Sequence, residues 1–289
     1  RILDKSGVFL NNSGWSAFIT ALEKLIYTKV EINQIEKIFK IIEHIFNDYS
    51  TYLTIFNIGP LLSILEKFAM NKQNNNICYS SVSFFWSCAD ICENFQKGNV
   101  NLTENQKVIY ELYLPTKEKQ DEYFKKTWIQ IFAKLLNINH DDRYDIRKSG
   151  INVFAQFFVA KITTLISLNV SEEIVQNIFF EILNKNYSKY ELDIKQGQHK
   201  TKEWEDTIVI SLQACGKIFR TYITEQTIEE EKIKLYQFLL KILQKIIKIS
   251  SPEIDMNILK IFSDVASCNK NLFSQSFSFF QCSPVGKYL

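Results

Sequence analysis

The residues best suited to chemistry in this chain gather at 140–147, where His140 precedes Asp141, Asp142, Arg143, Asp145 and Arg147. Three carboxylates within reach of two guanidinium groups could be an active site with a catalytic carboxylate pair, a nucleic-acid contact, or a piece of scaffolding. No second histidine lies close to them in sequence. A second candidate is the thiol set Cys78, Cys88 and Cys92, which a helix would place on roughly one side. A structural zinc site wants four ligands, and no histidine lies near this set. The remaining cysteines, Cys215, Cys268 and Cys282, show no C-x-x-C spacing, so reduced thiols buried in a core are the expectation. His44 falls on an amphipathic segment, His140 in a turn and His199 in a polar loop. A triad would need two of them to converge with a Ser or Cys. The stretch QHKTKEWEDT (198–207) offers Trp204 with Glu205 and Asp206. It reads as a helix start with the indole tucked under the preceding loop, or as a partner contact, since Trp is enriched at binding hot spots.

The elements that must position these residues are helical. Apolar residues make up 46% of the 289, enough for a sizeable core, and only 8 Gly and 4 Pro interrupt long segments. The net charge of +2 provides no long-range field for nucleic acid, and no basic run marks a nucleic-acid face. RILDKSGVFL lacks the apolar core of a signal peptide. Because the chain starts without Met, it is expected to be part of a longer protein. The window 151–170 is apolar, but Lys161 at its centre would cost about 2.5–3.5 kcal/mol in a bilayer. Two buried helical pieces are expected there, and no transmembrane segment.

Residues 31–49 place Ile35, Ile38, Phe39, Ile42, Ile45 and Phe46 at three-and-four spacing, and 227–250 repeat it with Tyr236, Leu239, Leu240, Leu243 and Ile246. Thr227 with Glu230 suggests a capping box at the start of the latter. The run EEEK (229–232) reads as a solvated first turn. Similar patterns give about eleven helices and no strand. Short breaks separate them, among them NKQNNN (71–76), NINHDD (137–142) and SSP (250–252). Two longer stretches, 97–119 and 186–202, read as loop insertions. The fold class expected is an all-α, right-handed α-solenoid of HEAT or armadillo-like helix pairs, one continuous array through 1–289. The last stretch, 270–289, is expected to be a final capping helix or an exposed seam.

Within such an array the cluster at 140–147 acquires another meaning. A HEAT repeat places Asp in the turn, an aliphatic residue and Arg early in the following helix, and a small residue further along the same face. Asp142, Ile146, Arg147 and Gly150 stand at those intervals, with Phe154 beyond. Structural duty, with Arg147 bridging to neighbouring acids, is the expectation rather than catalysis.

Several stretches together resemble one family. They are ILDKSGVFLNNSGWSAFITAL (2–22) with Gly14 and Trp15, SSVSFFWSCADI (80–91) with Trp86 and Asp90, DDRYDIRKSGINVF (141–154), and KEWEDTIVISLQACGKIFR (202–220). Their order and spacing resemble the C-terminal HEAT region of the Mon-two family, Golgi and endosome scaffolds related to the large Arf guanine-nucleotide exchange factors but lacking the exchange domain. The Gly-Trp and Asp-x-x-x-Ile-Arg elements resemble both groups. The regulatory C-terminal region of such an exchange factor is therefore the alternative, and a helical enzyme or metal protein a third reading from another class. The resemblance implies a peripheral, non-catalytic scaffold on the cytoplasmic face of the Golgi and endosomes. It would act with a Dopey-type protein, an Arf-like small GTPase and an aminophospholipid flippase, with no cofactor, no metal and no nucleic acid.

Overall fold

In the computed structural model, the structure describes residues 10, 12–27, 32–197, 201–249 and 251–276. It is all-α: among the described residues there are twelve helices packed against one another and no strand. The chain forms two compact units, residues 1–138 and 139–289, and the boundary lies inside the NINHDD break.

The first unit contains α1 (Asn12–Ile26), α2 (Ile32–Asp48), α3 (Ile58–Ala69), α4 (Asn75–Gln96), α5 (Glu104–Tyr113) and α6 (Lys117–Ile138). Helix α3 packs on α1, α4 and α6, and α4 packs on α2 and α6, which makes two facing rows. The Asn-rich break works as a cap. Asn71 accepts from the backbone N–H groups of Gln73 and Asn74, and Asn74 from those of Asn76 and Ile77, so α4 starts with its free donors met. Helix α5 corrects the reading of 97–119 as a loop. Thr103 and Gln106 close a capping box at its start. None of its residues is buried, so no apolar stripe announces it in the sequence.

The second unit contains α7 (Tyr144–Ser167), α8 (Phe180–Gln196), α9 (Thr201–Glu225), α10 (Glu229–Ile246), α11 (Pro252–Cys268) and α12 (Lys270–Ser274). Helices α7, α9 and α11 form one row, and α8, α10 and α12 the other. The 151–170 window is not two pieces: α7 runs unbroken to Ser167. By length and composition alone it is the one helix among the described residues that could cross a membrane, yet it buries Ile146, Phe154, Phe157, Phe158 and Leu165 within its unit. It ends in a left-handed residue, Asn169 (φ 54°). The Val170 N–H reaches the Leu165 carbonyl at 3.0 Å and the Asn169 N–H that of Ile166 at 2.9 Å, a Schellman closure. A π-helical stretch, Ile174–Phe179, leads into α8 and buries the adjacent Phe179 and Phe180 together. The expected loop at 186–202 is also corrected, since α8 continues to Gln196 and ends at left-handed Gly197.

Thr227 does not cap α10. The N-cap is Ile228, with no side-chain cap; Gln226 instead braces the turn before the helix, its side-chain oxygen accepting from the Thr227 and Ile228 N–H groups and its amide donating to Glu231. Glu229, Glu230 and Glu231 fill the first turn, where the helix dipole favours them. Residues 270–276 pack on α10 and α11 with Leu272 buried, and Tyr236 bonds Ser276. The rest of the 270–289 expectation lies outside the described residues.

Candidate interaction site

The acidic–basic cluster resolves into a turn and a buried arginine. Asp141 is buried and accepts from the Arg143 backbone N–H at 2.9 Å and from Nε and Nη2 at 2.8 Å each. This bidentate pair closes the turn before α7. Asp142 and Asp145 are exposed, while Ile146 and Gly150 face inward.

Arg147 is fully buried and bridges no acid closely. Its Nη2 lies 4.0 Å from Glu203 Oε2 and makes no hydrogen bond. Nη1 donates to the Asp141 carbonyl at 2.9 Å and Nε to Thr207 Oγ1 at 3.2 Å. The guanidinium carbon sits 3.8 Å from the centroid of Trp204, a desolvated cation–π contact. Burial pushes the Arg147 pKa down from its usual value, with Glu203, Asp141 and Asp142 opposing.

From Arg147 a chain of polar side chains runs through the second unit. Thr207 Oγ1 donates to the Glu203 carbonyl at 2.7 Å, and Ser211 Oγ to the Thr207 carbonyl at 2.8 Å. With its proton so used, Ser211 accepts from Asn186 Nδ2 at 3.1 Å. Asn186 is 1% exposed, and its Oδ1 receives no hydrogen bond from the protein.

That oxygen belongs to a residue lining a cavity of about 430 Å³, walled by His140, Lys185, Asn186, Lys189, Leu192 and Trp204. His140 Nε2 is buried there without a hydrogen-bond partner. Desolvation, then Lys185 and Lys189, hold the His140 pKa down at about 4 against the pull of Glu181, so the ring is neutral at pH 7. Lys185 pairs with Glu181 at 3.2 Å, both half-exposed.

The other expected site residues fall elsewhere. Trp204 faces inward, 6% exposed, so its ring serves the fold. Glu205 accepts from Ser251 Oγ at 2.5 Å, a tie that joins α9 to the start of α11, while Lys202 reaches Asp206 at 3.0 Å within α9. In the first unit Trp15 is buried against Tyr49 and Tyr52, beside half-buried Gly14. Trp86 is half-buried on α4, and exposed Asp90 lines a cavity of about 510 Å³ with Asn94, Asn99 and Asn101. A third cavity, of about 480 Å³ between α9 and α11, collects Lys217, Arg220 and Lys260 with Asp264.

Cys78, Cys88, Cys92 and Cys215 are buried, and burial pushes the Cys88 and Cys215 thiols up, far from a reactive thiolate. Cys268 is exposed; Cys282 and His199 lie outside the described residues. His44 pairs with Asp48 on α2. Among the described residues, no group of three or more His, Cys, Asp or Glu side chains could hold a metal ion. Sequence reasoning missed Lys185, Asn186, Thr207 and Ser211. The available signal was a polar residue standing in a helix's inward stripe, as Asn186 does after Ile182 and Leu183.

With this geometry in hand, comparison with known proteins gives one relative. The chain is similar to Protein MON2 of Saccharomyces cerevisiae. The two are 24% identical over 204 aligned positions, an alignment that takes in 60% of this chain and 12% of the yeast protein. No family model and no solved structure matches the chain. MON2 is thus similar along a minor part of its own length, the part that this helical chain spans.

Proposed function

We propose that this chain is a non-catalytic scaffold segment that binds other proteins in endosome-to-Golgi vesicular traffic. The observation that carries this reading is the similarity to MON2 over most of the chain, which agrees with the resemblance of the Gly-Trp, Phe-Trp-Ser and Asp-x-x-x-Ile-Arg stretches to the Mon-two family. The burial of the chemically capable groups supports it. Arg147, Asp141 and Trp204 are occupied within the fold, and the buried cysteines Cys88 and Cys215 are held as thiols. HEAT-type pairing of the helices and peripheral residence on Golgi and endosomal membranes through partners are parts of the same proposal. Helical stacks of this kind present extended surfaces to other chains.

The test is reconstitution. Purified chain, alone and as part of its full-length protein, is mixed with a Dopey-type protein and with Arf-like GTPases in both nucleotide states, and complexes are sought by size-exclusion chromatography. A stable complex with at least one of them is expected. Absence of any complex with the full-length protein overturns the reading.

A further inference from the structure

We propose that the cavity between the α7 turn, α8 and the start of α9 binds an acidic peptide segment. Its carboxylate would lie between Lys185 and Lys189, and a neighbouring backbone N–H would donate to Asn186 Oδ1. The inference rests on the scaffold reading above and names the chemistry of one partner contact.

Three features of the cavity converge on this occupant. The first is charge: Lys185 and Lys189, one helical turn apart on α8, are its charged lining residues, and no acid lines it. Glu181 attends to Lys185 from outside the lining. The second is the buried acceptor. Asn186 cannot turn its amide around, because Ser211 spends its proton on the Thr207 carbonyl and must accept from Asn186 Nδ2. Oδ1 therefore stays a buried acceptor on a residue of the cavity wall, and a buried acceptor without a donor is costly. Asn186 is at the end of the Arg147–Thr207–Ser211 chain, so the orientation of its amide is set by the fold before any ligand arrives. The third is shape and polarity. Leu192 and Trp204 supply an apolar wall, and about 430 Å³ lies in the range of ligand pockets.

A peptide bearing Glu or Asp meets all three demands with one covalent unit: an anion, an adjacent N–H donor and aliphatic carbons for the wall. Inorganic phosphate would meet the lysines alone. A lipid surface fits poorly, because α8 carries Glu181 and Glu191 among its lysines and the site is concave.

The test uses the whole chain and fluorescein-labelled pools of short capped peptides, randomised around two fixed Glu residues or around two fixed Gln residues. Anisotropy titrations are run against both pools, and inorganic phosphate and phosphatidylcholine vesicles doped with phosphatidylserine serve as alternative probes. Tighter binding of the Glu pool is expected. Lys185→Glu with Lys189→Glu, both exposed, should weaken that binding about tenfold or more. Asn186→Ala should weaken the Glu and Gln pools alike, by about threefold to tenfold. Helix content measured by circular dichroism accompanies each variant. Equal affinity for both pools, an unchanged affinity in the charge-reversed variant, saturation by phosphate alone, or vesicle binding in place of peptide binding would each overturn the proposal. The two readings fail separately: loss of every reconstituted complex sinks the scaffold reading, whereas indifference to Glu against Gln sinks this one.

Discussion

Trp15 in the first unit and Trp204 in the second are held in opposite ways. Trp15 sits in a nest of rings, 5.5 Å from Tyr49 and 6.5 Å from Tyr52 between centroids, with Phe18 edge-on at 6.3 Å. Its indole N–H is buried without a hydrogen bond. Phe39 with Phe68 and Phe46 with Phe84 continue the same principle through the first unit. Trp204 lies instead against a buried cation, at the head of the polar chain that runs through Thr207 and Ser211 to Asn186. Aromatic packing is cohesive but tolerant of repacking, because dispersion and burial are weakly directional. A buried polar chain is directional, since each member must meet a specific donor or acceptor. The first unit should therefore respond to lost volume and the second to lost partners.

The largest effect expected is from Trp15→Ala, which removes a fully buried indole and leaves a cavity, at a cost of about 3–5 kcal/mol. Native-state hydrogen exchange is the suitable readout, because it reports each helix separately. Protection should fall in α1 and α3, and Trp15→Phe should recover much of it. If Trp15→Phe is as damaging as Trp15→Ala, packing is not what Trp15 contributes.

Next is Arg147→Ala, expected to cost about 2–4 kcal/mol through the lost cation–π contact, two hydrogen bonds and the void. Arg147→Met, which fills the volume without charge, separates the causes. Buried charges are often replaceable by apolar residues of similar size at little cost. Here, however, Met would remove the donor to the Asp141 carbonyl and the one that Thr207 Oγ1 accepts, although that hydroxyl keeps its bond to the Glu203 carbonyl, so a loss of about 1–2 kcal/mol should persist. A double-mutant cycle of Arg147→Met with Trp204→Leu should give a coupling of about 1–2 kcal/mol. Coupling near zero would mean that the stacking at 3.8 Å is geometry without energy.

How much of this could be read in the sequence follows the same division. Helices with an apolar stripe, such as α2 and α10, are legible because burial imposes the period. Helix α5 is not, because it buries nothing and owes its start to the Thr103–Gln106 box. Spacing alone cannot tell which of the two adjacent acids, Asp141 or Asp142, turns inward. An acid is the partner that the sequence suggests for Arg147, but charge in the sequence gives no warning of an aromatic plane 57 residues away; Thr207 and Trp204 arrive only with the fold. Trp204 admits two readings in the sequence, tucked under the loop or facing a partner, for the same reason: nothing in the sequence locates its cation. Asn186 carried the faintest signal, a single amide in an apolar stripe, and it turned out to connect the core to a cavity.

The smallest effect is the most specific to the second unit. His140 is neutral in the folded chain down to about pH 4, whereas in the unfolded chain it takes a proton near pH 6.5. Above pH 6.5 both states are neutral there, and the group contributes no pH dependence. As pH falls below 6.5 the unfolded state binds the proton first, so stability declines until the folded ring titrates near pH 4. Between pH 7 and 5.5, before most carboxylates respond, the expected loss is up to about 1 kcal/mol, less to the degree that solvent reaches the ring. His140→Gln should flatten that slope while leaving stability at pH 7.5 nearly unchanged. Lys185→Glu and Lys189→Glu should raise the folded-state pKa and shallow the slope partway, since both lysines oppose the imidazolium. A wild-type curve with the same slope as His140→Gln would show that water reaches Nε2 freely. The cavity would then be an open dent rather than a desolvated site.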